Sequence, residues 1–430
     1  MPGGLIQLIR RGPEDLFFNA SPSTVLWSGA NAVFRRTSNF AIEPLSLSWK
    51  TMPAFGSTAV LTLDRLGDLV CGVALAVTVS RASNATSLTA AYYPVEALFK
   101  QISLVIDGVV IDTHTSDWLR IYNTTHQTWD QQQKYMPLVN FDPATISAGG
   151  ACVQTCVLPL QFSFCRSPSC ALPLVAMAYS EVQIQVTLAD AHDIGLDPSV
   201  LHIQPLANYV FVDLEERQRL AHSPLDVVIE QVQVKTATLP DGVPSTTGTS
   251  SYAYKFNLFK PVKALYWFLR PEFDVTHGRY IGDPTTTPFA LAADPSCPSG
   301  LGLTGAVSGG EAPLYECKLS FDDSERTPSL PFGYFNRVVP YRSFKGQPVP
   351  GVAYFSFGLD PESTNDPKGT CNFSIIREVR LDLSIKRSAS LSEPNALLAA
   401  RDIVGLKQLV VLAWGLNVVH VEGGRATLAF

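Results

Sequence analysis

Charge is scarce in this sequence. Asp, Glu, Lys and Arg make up only 16% of its 430 residues, against about a quarter in an ordinary globular chain. The balance is mildly acidic, with a formal net charge of −6. A general nucleic-acid binder needs a basic field to release counterions, so direct nucleic-acid binding is not expected. Long apolar runs are missing too. The best, residues 69–79 and 409–419, are about half the roughly 20 residues a membrane-spanning helix requires. Their valines suit buried strands. The opening MPGGLIQLIRR closes its short apolar run with Arg10 and Arg11, which is not a secretory pattern. Folding in the cytosol is the expectation, with the eight cysteines reduced.

Chemistry-bearing patterns are equally thin. The seven histidines form neither HxxxH nor HExxH. His114, near Asp112 and Asp117, reads as a turn or surface residue because nothing beside it supplies a nucleophile. Cys152, Cys156, Cys165 and Cys170 are loosely spaced for zinc, which needs converging ligands; small buried side chains are the simpler expectation. Asp322 with Asp323, and Asp360 with Glu362, have the composition of glycosidase pairs, but neighbouring Ser and Pro mark solvated turns. Residues 300–305, GLGLTG, spell a dinucleotide fingerprint without its strand and helix. Sequons at Asn19, Asn84, Asn123 and Asn372 have no secretory route to use them. The expectation is no catalytic, cofactor-binding or metal-binding residue, and no cofactor.

What the sequence does hold is strands and turns. With 31 Pro and 29 Gly in a chain that is 46% hydrophobic, sheets joined by tight turns are indicated. Val182-Gln183-Ile184-Gln185-Val186 alternates strictly, so one face is buried. Asp107-Gly108 predicts a two-residue hairpin. Strands are predicted at 42–49, 58–63, 69–79, 101–106, 109–111, 157–164 and 181–188, with 117–125 a helical insertion. A second group follows at 227–233, 252–258, 263–269, 316–321, 352–358, 375–385 and 409–419. Between the groups, residues 209–234 read as strand, short helix, turn, strand. Asp213 caps the helix and Ser223-Pro224 stops it, so this stretch is a hinge between two similar-sized β domains. The predicted division is an arm at 1–25, a first domain at 26–212, the linker helix and turn at 213–225, and a second domain at 226–430. Residues 5–9 of the arm read as an apolar ribbon, and 283–313 as a long functional or mobile loop.

Motifs spread along the chain carry a resemblance. They are the arm GGLIQLIRRGPEDLFF, VFRRTSNFAIE at 33–43, Arg65-Leu66-Gly67-Asp68-Leu69, Tyr93-Pro94-Val95-Glu96, and Ile106-Asp107-Gly108 through Asp117-Trp118. The linker FVDLEERQRLAHSP, Tyr334-Phe335-Asn336, YFSFGL at 354–359, GTCNFS at 369–374 and residues 414–418 follow. In this order they resemble the major capsid proteins of nucleocytoplasmic large double-stranded DNA viruses, the group of the algal-virus and iridovirus capsid proteins. The similarity spans essentially the whole chain.

The resemblance implies an all-β fold of two consecutive eight-stranded antiparallel jelly rolls, with an extended N-terminal arm and a short linking helix. It implies a homotrimer of pseudo-hexagonal outline that tiles an icosahedral shell. Its partners would be neighbouring capsomers, minor capsid proteins beneath the shell and inner viral membrane proteins, in a virion assembled in the host cytoplasm. The arm would run beneath the capsomer and residues 283–313 would sit on its outer rim. Residues 23–34 depart from the family's aromatic-rich run, which leaves a minor or divergent capsid paralogue open. Outside the family stand a lectin-like β-sandwich binding module and a carbohydrate-active enzyme; neither accounts for the arm, linker and last strand together.

Overall fold

The computed structural model describes residues 3–9, 39–81, 94–140, 153–191, 196–239, 248–271, 314–322, 324–349, 351–363, 368–387 and 406–429. Most of the arm, the loop at 283–313 and GLGLTG at 300–305 lie outside them. The first strands are β1 (Phe40–Ser46), β2 (Trp49–Thr51), β3 (Thr58–Thr62), β4 (Leu69–Arg81), β5 (Phe99–Ile106), β6 (Val109–Thr115), β7 (Val153–Pro159), β8 (Val182–Leu188) and β9 (Leu196–Val212). They build two sheets, β1-β9-β4-β7 and β2-β3-β8-β5-β6. With the short β2 set aside, these take the strands in the orders 1-8-3-6 and 2-7-4-5, the paired Greek keys of a jelly roll.

The second group repeats the plan. Its strands are β10 (Leu225–Thr238), β11 (Gly248–Phe256), β12 (Pro261–Pro271), β13 (Leu314–Phe321), β14 (Ser324–Glu325), β15 (Leu330–Pro331), β16 (Ala353–Ser356), β17 (Cys371–Asn372), β18 (Val379–Arg387), β19 (Leu406–Glu422) and β20 (Arg425–Leu428). The sheets β10-β19-β12-β16 and β11-β18-β13-β14 have the same two orders, with β15, β17 and β20 as side pairings. The protein is a double jelly roll.

Local sequence explains much of this. β8 alternates buried and half-buried side chains throughout, and burying each large aliphatic contributes about 1.5–3 kcal/mol. Asp107 and Gly108 turn β5 into β6 with φ of 50° and 80°, the left-handed pair that a two-residue hairpin needs. The linker helix Leu214–His222 begins where Asp213 accepts from the Leu214 N–H at 2.9 Å, and Ser223 ends it. It buries no side chain. Arg217 Nε instead donates to the buried Asp68 at 2.6 Å, whose other oxygen accepts from the Val212 N–H at 2.9 Å. Arg65 reaches the carbonyls of Met177 and Ser180, each at 2.8 Å. A Cβ on Gly67 would come within 2.9 Å of the Tyr209 side chain. The RLGDL segment thus binds the linker to the first roll.

Several expectations need correction. Residues 5–9 belong to a helix, Gly3–Ile9, not a ribbon. Its first N–H groups, which a ribbon would pair in a sheet, are satisfied by the Glu43 carboxylate of β1, at 2.9 Å from Gly4 and 3.4 Å from Gly3. The predicted strand 157–164 stops at Pro159, and Ser163–Arg166 is a short helix. Nor does the linker act as a hinge, since Ile229, Val419, Val421 and Ala426 of the second roll pack into the first roll's core.

Candidate functional site between the rolls

The connection from β6 to β7 carries the helix Ser116–Thr125, and this helix organises the seam between the rolls. Thr115 Oγ1 caps it by accepting from the Trp118 N–H at 3.3 Å. Glu96, buried on the short helix Pro94–Leu98, holds it sideways. The Ser116 hydroxyl donates to the Glu96 carbonyl at 2.8 Å, and Asn123 Nδ2 and the Tyr135 hydroxyl donate to Glu96 Oε1 at 3.1 and 2.7 Å. With its rotation fixed, the helix turns Leu119 into the first roll's core. Trp118 and Ile121 turn the other way, into a cluster with Tyr266, Phe268, Leu412 and Trp414 on the outward face of the sheet β10-β19-β12-β16. Trp118 meets the Tyr266 ring edge-on at 5.5 Å, and His126 meets Trp414 at 4.6 Å; such pairs add about 0.5–1.5 kcal/mol beyond their buried area.

Polar groups complete the seam. The helix's last carbonyls, of Thr124 and Thr125, accept from the N–H groups of Gln347 and Gly346 at 2.9 and 2.7 Å. Asp112 Oδ1 accepts from the Val232 N–H at 2.9 Å, and Gln231 donates to the Ile111 carbonyl. Arg270 pairs with Asp117. Glu230, almost wholly buried, pairs with both Arg166 of the first roll and Lys263 of β12, the latter at 2.6 Å. These cations also lie over aromatic faces, Arg166 on Tyr122 at 4.3 Å and Lys263 on Trp414 at 4.1 Å. Burial, and after it the Arg166 charge, push Lys263 down to about 7. Burial likewise drives His126 well below its ordinary value and raises Glu362. An open polar cleft of about 550 Å³ at the seam's mouth is lined by Tyr122, His126, Arg166, Glu230, Lys345 and Glu362 among others.

The residues weighed as chemical candidates fall into structural positions. His114 is buried rather than at a turn or surface; its Nε2 lies 2.8 Å from Asp112 Oδ2 and its ring stacks on Phe162 at 4.6 Å. Glu362 is not solvated either: its side chain is 5% exposed, 3.3 Å from Lys345 and 3.5 Å from His126. Asp322 sits in a turn and accepts from the Arg377 and Glu378 N–H groups at 3.0 and 2.8 Å. Asp323 and Cys152 lie outside the described residues. Burial pushes Cys156 up to about 11 and Cys165 to about 12, which makes both inert thiols. Among the described residues no group of three or more His, Cys, Asp or Glu gathers as for a metal. Glu96, Glu230 and Lys263 escaped the sequence reading. Glu230 and Lys263 had a signal, each being the one charge within an otherwise uncharged stretch of its strand, VVIEQVQV and PVKALYWFL.

Known proteins share this architecture. Residues 30–213 match the family model for the major capsid protein N-terminus, and residues 216–427 match that for the large eukaryotic DNA virus major capsid protein. The major capsid protein of Paramecium bursaria Chlorella virus 1 is 31% identical, with 100% of both chains covered. That of Pyramimonas orientalis virus is 29% identical, again over 100% of each. The solved PBCV-1 VP54 chain superposes with a TM-score of 0.79 at 27% identity, covering 94% of this chain and 100% of that one. The Faustovirus major capsid protein reaches 0.63 at 13% identity over 93% of each chain, a likeness of fold.

Proposed function

This chain belongs to the major capsid proteins of large eukaryotic DNA viruses, and from that premise we propose that three copies close into a capsomer of pseudo-hexagonal outline. As a capsid protein it is a structural component of the virion. The observation that carries the trimer is the repeat of one strand order in two rolls joined by a buried, charge-paired seam. A rigid pair of similar corners, taken three times about an axis, makes six. The scarcity of charge suits large lateral contacts. In this reading the chain divides into an arm at 1–25, a first roll at 26–212, a linker at 213–225 and a second roll at 226–430. The capsomers meet one another laterally and meet minor capsid proteins and inner-membrane proteins below. Assembly takes place in host cytoplasm, and no residue is catalytic or binds a cofactor.

Light scattering coupled to size exclusion tests it. Three chains of 46.7 kDa give about 140 kDa, a closed cyclic assembly. A species of that mass that survives dilution is the expected result; a monomer at every concentration would sink the trimer.

A further inference from the structure

The cleft at the mouth of the seam has the size and the chemistry of a ligand site. Its volume of about 550 Å³ falls within the roughly 300–1,000 Å³ of small-molecule pockets. The first roll walls it with the end of the helix Ser116–Thr125, the start of the helix Trp129–Val139 and the short helix Ser163–Arg166. Lys345, Glu362 and Trp414 close it from the second roll.

The charges around it do not balance. Lys134, Arg166 and Lys345 line the cleft against Glu230 and Glu362. Glu230 is also shared, giving one oxygen to Arg166 and the other to Lys263. Counting Lys263, and Asp360 that acts on it, leaves the same excess of one cation. Arg166 carries that excess at the wall. Its side chain is 5% exposed; Nη1 pairs with Glu230 and Nε donates to the Gln161 carbonyl at 2.8 Å, but Nη2 has no acceptor. A buried guanidinium with an unused N–H group is costly until an oxygen meets it. Around the same cleft His126 Nδ1, Trp414 Nε1 and Gln127 Oε1 also make no hydrogen bond. Thr128 and Gln131 place the N-terminus of the 11-residue helix Trp129–Val139 at the wall, which adds the positive end of its dipole. Asp130 of that turn stands outside the lining.

We propose that this cleft binds a small organic oxyanion, a phosphate- or carboxylate-bearing molecule with hydroxyl groups, whose negative group meets Arg166, Lys134 and Lys345. A bare inorganic ion fills little of the volume and leaves His126, Gln127 and Trp414 unmatched, whereas hydroxyls both donate and accept. Lys134 and Arg166 belong to the first roll and Lys345 to the second, so the bound anion ties the rolls together and stabilises the seam. The inference does not depend on the trimer.

The test is isothermal titration of the full chain with citrate, glucose 6-phosphate, inorganic phosphate and glucose, at an ionic strength held constant with chloride. Saturable binding of citrate or glucose 6-phosphate, one per chain, is expected, with inorganic phosphate weaker and glucose inert. Whichever of the first two binds more tightly identifies carboxylate or phosphate as the recognised group. At a hundredfold excess over its Kd the ligand should raise the melting temperature by about 5–11 °C. The double variant Lys134→Ser, Lys345→Ser alters two exposed side chains and should weaken binding at least roughly tenfold, with the circular dichroism spectrum unchanged. No saturable heat from any of the three oxyanions up to about 10 mM, or binding that the double variant leaves intact, overturns the site and assigns these polar groups to water.

Discussion

Replacing Glu230 with Gln keeps the side chain's shape and removes the charge that Arg166 and Lys263 share. Those two side chains are 5% and 1% exposed, so neither reaches solvent when its partner is lost. Breaking a buried ion pair from one side costs about 3–5 kcal/mol. In a unit of about 200 residues each kcal/mol moves the melting temperature by roughly 2–4 °C. Scanning calorimetry of Glu230→Gln should therefore show the transition that opens the seam falling by about 6–20 °C. The triple variant Arg166→Met, Glu230→Met, Lys263→Met should recover most of the loss, because apolar side chains of similar size replace buried charges at little net cost. The pH dependence adds an independent signature. Lys263 is pushed to about 7 in the fold and stands at 10.5 without it. Below about 7 both states hold the proton and the burden of the buried charge is complete. From there to 10.5 the unfolded chain holds more protons, so this residue makes stability rise with pH, by up to about 1.4 kcal/mol per unit. Lys263→Met should remove that slope. A Glu230→Gln protein melting within about 2 °C of wild type, or a slope unchanged by Lys263→Met, would refute the account of the seam.

Gly346→Ala should loosen the same seam by steric means. The new Cβ would stand 2.6 Å from the carbonyl oxygens of Thr125 and Gln127 and closer still to that of Thr124, so a cost of about 1–3 kcal/mol or more is expected. Hydrogen exchange should report it as faster exchange at the Gly346 and Gln347 amides. Glu43→Ala should release the helix Gly3–Ile9 by stripping two N–H groups of their acceptor, a loss of about 1–2 kcal/mol on the scale of a helix cap; earlier proteolytic cleavage near residue 9 with an unchanged global melt is the expected result. Asn123 should carry no glycan even when the chain is routed through a secretory host, because its amide is buried against Glu96 and Tyr135. Glycopeptide mass spectrometry checks this, and occupancy at Asn123 would contradict the packing described.

Strands were the most legible part of the molecule because their cause is local. Alternation in β8 and the Asp107-Gly108 turn need only their own neighbours, and so does the Asp213 cap. β9 was seen only at its end, since two prolines and several polar residues in LDPSVLHIQPLANY hide the period of a strand that pairs on both sides. Trp129–Val139 carries Pro137 inside it, a poor helix signal. The helix Gly3–Ile9 depends on a carboxylate about 40 residues away. His114 and Glu362 were misplaced on the surface for a related reason. His114 is covered by the stacked Phe162 ring, and Glu362 by first-roll His126, each distant in sequence. Charge partners such as Glu230 and Lys263 are legible singly as anomalies and become a pair only when β10 and β12 flank β19.

The reach of Trp118 across the seam also sets a timetable for synthesis. Its partners Tyr266, on β12, and Trp414, on β19, emerge from the ribosome late, the second about 300 residues after Trp118 itself. At about 5–20 residues per second the first roll, whose last strand ends at Val212, waits roughly ten to forty seconds for Trp414 with a tryptophan face uncovered. Newly made chains on one messenger are, in that interval, each other's nearest apolar surface. Whatever guards that face until the C-terminal strand arrives limits how fast intact shell subunits can be supplied.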